Sequence, residues 1–84
     1  MTPDSIRTIL KAHSRIRLPI EEVADDANLF NAGMTSLASV DVILALEEEF
    51  GIEFADHMMH RKTFESINAI ASAIESLQQV KATT

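Results

Sequence analysis

The sequence contains no cysteine, which removes disulfide staples, thiolate metal sites and a cysteine nucleophile together. Core packing alone must hold the fold. Only two glycines and two prolines interrupt 84 residues, so long helices are expected. The first residues lack the basic segment and apolar run of a secretory signal, and no apolar stretch approaches the roughly 20 residues of a membrane span. A soluble, cytoplasmic chain with no membrane partner is therefore expected. Positive charge is missing from the middle: residues 21 to 56 hold ten of the thirteen Asp and Glu and no Lys or Arg. Nucleic acid is a poor partner for such a surface, and the four phenylalanines read as core rather than as a platform for bases.

What is present reads as helices. At this length the chain has room for one domain, residues 1–84, with one modest core. Thr2 is placed to cap a first helix, with Pro3 at its first position and Asp4 near the positive end of the helix dipole. Ile6, Ile9, Leu10 and His13 fall on one face, and the helix should end near Ser14 to Arg17. Arg7, Lys11 and Arg15 form a stripe at i, i+4 spacing that reads as a solvated face. Pro19 disfavours helical geometry at Leu18, and a long loop follows, pinned to the core by Leu29 and Phe30.

Gly33 breaks the chain, Thr35 is a good N-cap, and Ser36 to Phe50 forms the second helix, with Gly51 where a left-handed C-cap wants glycine. A short turn of helix is expected over Asp56 to His60. Thr63 can then cap a last helix that carries Ile67, Ile70, Ala71, Ile74 and Leu77 on one face. The expected fold is all-α: a four-helix bundle of three long helices and one short, with a long loop between helices 1 and 2.

Enzyme chemistry finds little support. Gly33-Met34-Thr35-Ser36-Leu37 is not the G-x-S-x-G turn of hydrolases. His57 and His60 beside Asp56 lack the further ligands of a metal site. Asp26-Ala27-Asn28 begins like a calcium loop, but Phe30 and Leu37 stand where ligands are needed. No catalytic or metal residue is assigned. Ser36 is different: with Thr35 capping, it is the first helical residue, where backbone N–H groups and the helix dipole favour a phosphate ester.

The segment Leu29-Phe30-Asn31-Ala32-Gly33-Met34-Thr35-Ser36-Leu37 is followed by Ser39-Val40-Asp41, Ala45-Leu46-Glu47-Glu48-Glu49-Phe50-Gly51-Ile52-Glu53-Phe54 and Arg61-Lys62-Thr63-Phe64-Glu65-Ser66-Ile67. Together these resemble the acyl carrier protein family over nearly the whole chain. The resemblance implies that Ser36 bears a covalent 4'-phosphopantetheine arm, moved from coenzyme A by a phosphopantetheinyl transferase, whose thiol holds cargo as a thioester. It implies a carrier rather than an enzyme, and a monomer. The family usually has Asp where this chain has Thr35, and many members have an acid where it has Ala38, so negative charge beside the arm is reduced.

The non-acidic residue before the serine, together with His57-Met58-Met59-His60-Arg61-Lys62-Thr63-Phe64-Glu65-Ser66-Ile67, looks most like stand-alone bacterial aminoacyl carrier proteins. That subgroup implies loading of a small amino acid by an amino acid:carrier protein ligase related to seryl-tRNA synthetases, and a downstream acyl acceptor enzyme. The alternatives are a fatty-acyl, polyketide or peptidyl carrier, or an unmodified helical interaction protein.

A helical wheel at about 100° per residue puts Leu37, Ala38, Asp41, Val42, Ala45, Glu48 and Glu49 on one arc, opposite Ile43, Leu46 and Phe50. Partners are expected to dock on that arc, using Thr35, Leu37, Ala38, Asp41, Val42 and Glu48. Glu47, Glu48 and Glu49 crowd the negative end of the helix dipole, an unfavourable placement that suggests a role in attracting basic partner surfaces.

Overall fold

The computed structural model describes residues 2–16 and 19–83, with side chains for residues 3–16 and 19–78. Its helices are α1 (Thr2–His13), α2 (Ser36–Phe50), α3 (Arg61–Phe64) and α4 (Ile67–Thr83), with single 3₁₀ turns at Ile20–Glu22 and Asp56–Met58. They form an all-α four-helix bundle with a long loop between α1 and α2, and among the described residues there is no strand. The Thr2 side chain, Arg17 and Leu18 lie outside what is described.

The core is built from one face of each long helix. Ile6 and Leu10 of α1, Leu46 of α2 and Ile67, Ile70 and Ile74 of α4 are fully enclosed, and their burial supplies the main driving force for folding. The loop contributes Ile20, Val23, Leu29 and Met34 to the same cluster. Its backbone is fastened as well: Leu29 N–H donates to Glu65 O at 2.6 Å and Asn68 N–H to Asp25 O at 3.0 Å. Of the two residues expected to pin the loop, Leu29 is fully buried and Phe30 half-buried.

The basic stripe of α1 ties that helix to the loop. Arg7 pairs with Asp25 and donates to Ile20 O, and Lys11 lies 3.6 Å from Glu21. A hydrogen bond from backbone N–H, then the Lys11 charge, hold the Glu21 carboxyl below its ordinary value of 4.5. The Lys11–Glu21 contact therefore contributes in full above the ordinary carboxylate value and is lost as pH falls from there through the lowered folded one.

Local signals set most helix ends. Arg15 takes the left-handed conformation (φ 62°) just after α1, while Ser14 is buried and donates through Oγ to Leu10 O at 2.6 Å. Gly51 closes α2 in the left-handed conformation, φ 62° and ψ 40°, its N–H on Glu47 O. Two expectations need correction. The short turn expected over Asp56 to His60 is present as the 3₁₀ turn at Asp56–Met58, but α3 follows it and takes in Thr63, so Thr63 does not cap α4. Ser66 does: its Oγ accepts Ala69 N–H at 3.0 Å and its carbonyl accepts Ile70 N–H at 3.0 Å. His13, placed by spacing on the apolar face of α1, is exposed.

Candidate functional site

The start of α2 is fixed from both sides. Gly33 adopts φ +123°, a conformation side chains rarely take, although nothing would crowd a Cβ there. Met34 is buried and donates its N–H to Leu29 O at 3.0 Å. Thr35 then takes extended geometry, and its Oγ1 accepts Ala38 N–H at 3.0 Å, satisfying one of the free donors at the helix start. Ser36 follows as the first helical residue, and it is exposed. Its carbonyl accepts the Ser39 hydroxyl at 2.6 Å, while no hydrogen bond among the described residues engages the Ser36 hydroxyl itself. Removing the cap with Thr35→Ala should cost about 0.5–2 kcal/mol, read as a lowered unfolding midpoint with native helix content retained below it.

Beside Ser36 lies a cavity of about 180 Å³. Ser36, Ser39 and Ile43 of α2 form one wall and Phe30 of the loop another. Met59, His60 and the α3 residues Arg61 and Phe64 face them. The Arg61 guanidinium sits over the Phe30 ring, 4.3 Å from its centroid, and Phe64 is braced by an edge-to-face contact with Phe54 at 5.1 Å. No carboxylate lines this cavity, in a chain of net charge -6.

The exposed face of α2 is rotated from the arc read off the wheel. Ala38 and Val42, expected to meet partners, are buried at 2% and 1% exposure and cannot offer a docking surface. Both belong to the core cluster, because α2 is buried over a broader side than Ile43, Leu46 and Phe50 alone would define. In their place Val40 and Leu44 face outward with Leu37, the last at 77% exposure. Asp41 and Glu48 are exposed, as are Thr35 and Glu49. Glu47 serves the fold directly, since its Oε2 accepts Phe54 N–H at 2.9 Å and fastens the segment after α2. That bond accounts for one of the three acids at the negative helix end without any partner.

Sequence reasoning located Ser36 and its cap. It did not bring Phe30, Met59 and Arg61 to the same place, since the pairing crosses elements that periodicity treats one at a time. Among the described residues there is no group of three or more His, Asp or Glu that could hold a metal ion, and none of their helices is long and apolar enough to cross a membrane.

Comparison with known proteins agrees with this geometry. Residues 4–74 match the family model described as "Phosphopantetheine attachment site". The chain is 42% identical over 71 residues to an aminoacyl carrier protein of Agrobacterium fabrum, covering 84% of this chain and 86% of the relative. It is 36% identical over 61 residues to a D-alanyl carrier protein of Lactobacillus acidophilus, covering 69% and 77%. It superimposes with a TM-score of 0.88, at 39% identity and covering 90% of this chain and 99% of the other, on a chain from a crystal structure of an engineered Bradyrhizobium japonicum glycine:[carrier protein] ligase complexed with carrier protein from Agrobacterium tumefaciens and ATP. The chain thus belongs to the phosphopantetheine attachment-site family, as a carrier protein of the acyl and aminoacyl carrier type and not an enzyme.

Proposed function

We propose that Ser36 is the attachment point of 4'-phosphopantetheine and that the cargo it presents is glycine or another small amino acid. The observation that carries this reading is the Ser36 hydroxyl, exposed, unengaged and at the first position of a capped helix, in a chain of the attachment-site family. When bound, the arm supplies a terminal thiol that holds the cargo as a thioester. In the modifying step, catalysed by a phosphopantetheinyl transferase, the Ser36 oxygen bonds to the phosphorus next to pantetheine in coenzyme A. The hydroxyl proton leaves, the pyrophosphate bond breaks, and adenosine 3',5'-bisphosphate departs. Thr35 and the first N–H groups of α2 keep the hydroxyl outward and offset the charge of the phosphodiester.

The cargo assignment is supported by the aminoacyl and D-alanyl relatives and by the carrier seen with a glycine ligase. The cavity points the same way. A long acyl chain gains about 0.8 kcal/mol for each buried CH₂, but a space of about 180 Å³ is close to the ~150 Å³ that accommodates benzene. A small amino acid has a charged amine whose burial without a partner costs several kcal/mol, so it gains nothing from the interior. The loading enzyme is an ATP-using amino acid:carrier protein ligase related to aminoacyl-tRNA synthetases, and a separate acceptor enzyme removes the cargo.

Docking uses the outward stripe of α2, where Leu37, Val40 and Leu44 lie among Asp41 and Glu48. Reversing both charges, Asp41→Lys with Glu48→Lys, should slow loading about tenfold at low salt and much less at high salt. Both residues are exposed, so stability should change by no more than about 0.5 kcal/mol per site. Loading rates of the two proteins across a salt series check this, and equal rates at every salt would make the acidic face mere solvation.

The function is tested by giving the chain coenzyme A and a transferase, then ATP, ligase and glycine or alanine. A hydroxylamine-labile aminoacyl adduct is expected. A chain that takes the arm and then accepts fatty acyl groups while refusing both amino acids belongs with fatty-acyl carriers. A chain that takes no arm is an unmodified helical binding protein.

A further inference from the structure

We propose that the cavity beside Ser36 is a seat for the arm itself, in which Arg61 holds the phosphodiester and the apolar walls take the geminal dimethyl group that follows it. This rests on Ser36 being the attachment point.

Three observations carry it. First, Ser36 is itself part of the wall, so a phosphate bonded to its oxygen is delivered to the mouth of the cavity by the covalent link. Second, the cavity's permanent cation is Arg61, and no carboxylate shares the lining. Neither ion pair between described side chains involves it: those are Arg7 with Asp25 and Lys11 with Glu21. Its guanidinium instead sits over the Phe30 ring, 4.3 Å from the centroid, a contact that holds the cation at the cavity without using its N–H donors in an ion pair. An arginine so placed suits a phosphate diester, because its forked N–H groups match two phosphate oxygens. Third, beyond the cation the lining turns apolar, with Phe30, Ile43, Met59 and Phe64. In the arm, a quaternary carbon bearing two methyl groups lies one CH₂–O link from the phosphorus. That is a compact apolar group of about the bulk the space accepts.

Seating that group leaves the remaining amide-rich arm and its thiol in solvent, free to enter a ligase. Arg61 is thus a positioning residue: it sets where the arm leaves the protein and takes no part in acyl transfer.

The test uses the arm-bearing chain, with mass spectrometry first locating the arm on the Ser36 peptide. In the wild type, NMR should show contacts from the arm's geminal methyls to the Phe30 ring and the Met59 methyl, with a phosphorus resonance displaced from that of a free phosphopantetheine ester. Arg61→Gln should weaken these contacts about two- to fivefold, the scale of one exposed ionic contact, and return the phosphorus resonance toward the free value. Arg61→Lys should retain the phosphorus displacement in part while losing the stacking on Phe30. Since Arg61 is exposed, both variants should keep native helix content. An arm on Ser36 with no methyl contacts, or with contacts and a phosphorus resonance indifferent to Arg61, overturns the seat and leaves the attachment intact. No arm on Ser36 overturns both.

Discussion

Ser36→Ala is expected to lose attachment of the arm completely while remaining folded. The substitution removes a single exposed oxygen that no hydrogen bond among the described residues uses, and alanine is a strong helix former at an exposed position. The Thr35 cap acts through Ala38 N–H and the Ser39 hydroxyl bonds the carbonyl of residue 36, so neither depends on the lost side chain. Stability should change by no more than about 0.5 kcal/mol. Two other serines are poorly placed to substitute: Ser14 and Ser66 are buried, and Ser66 is occupied as a cap. Ser39 shares the cavity but gives its hydroxyl to Ser36 O. Intact mass after incubation with coenzyme A and transferase decides the matter. A full adduct on the variant would place the attachment elsewhere, with Ser39 the first position to map.

Leu46→Ala should damage stability more than any other single change proposed for this chain. Leu46 is fully enclosed between the long helices, and truncating such a leucine removes its transfer energy and leaves a cavity, about 2–5 kcal/mol together. Folded domains of this kind hold only about 5–15 kcal/mol in total. The unfolding midpoint should therefore fall by about 10 °C or more. Leu44→Ala, two residues earlier in the same helix, is the control: Leu44 is 58% exposed, so its loss should move stability by no more than about 0.5 kcal/mol. Urea or thermal unfolding followed by helix signal compares the two. A similar loss from both would mean that the described face of α2 is wrong.

Those two leucines mark the limit of what periodicity reveals. The bounds of α2 were legible because the Thr35 hydroxyl and the left-handed Gly51 act within a few residues of the ends they define. The inward side was legible only in part: Ile43 and Leu46 are buried as expected, but α2 carries apolar residues nearly all round. A wheel then cannot tell that Ala38 and Val42 pack inside while Val40 and Leu44 face solvent. The cap of α4 was placed at Thr63, a competent cap residue, but Arg61 to Phe64 form a helix of their own and Ser66 caps α4 instead. Ser36 was singled out by its position behind the Thr35 cap and by the resemblance of the residues around it. The Arg61–Phe30 stack beside it needed the fold, since one residue lies before α2 and the other after it. Glu47 shows the converse error, where an unfavourable charge at a helix end invited a functional reading although its Phe54 N–H bond explains it locally.

Whether the chain carries a small amino acid is tested most directly by the acyl group that its thiol holds in the cell. The protein should be recovered from its own cells under acidic conditions that preserve thioesters, then digested and read by mass spectrometry at the peptide holding Ser36. Phosphopantetheine is expected on Ser36, with glycine or another small amino acid on its thiol that hydroxylamine releases. A long acyl chain or polyketide on that thiol would contradict the cargo, and a Ser36 peptide always without the arm would contradict the function.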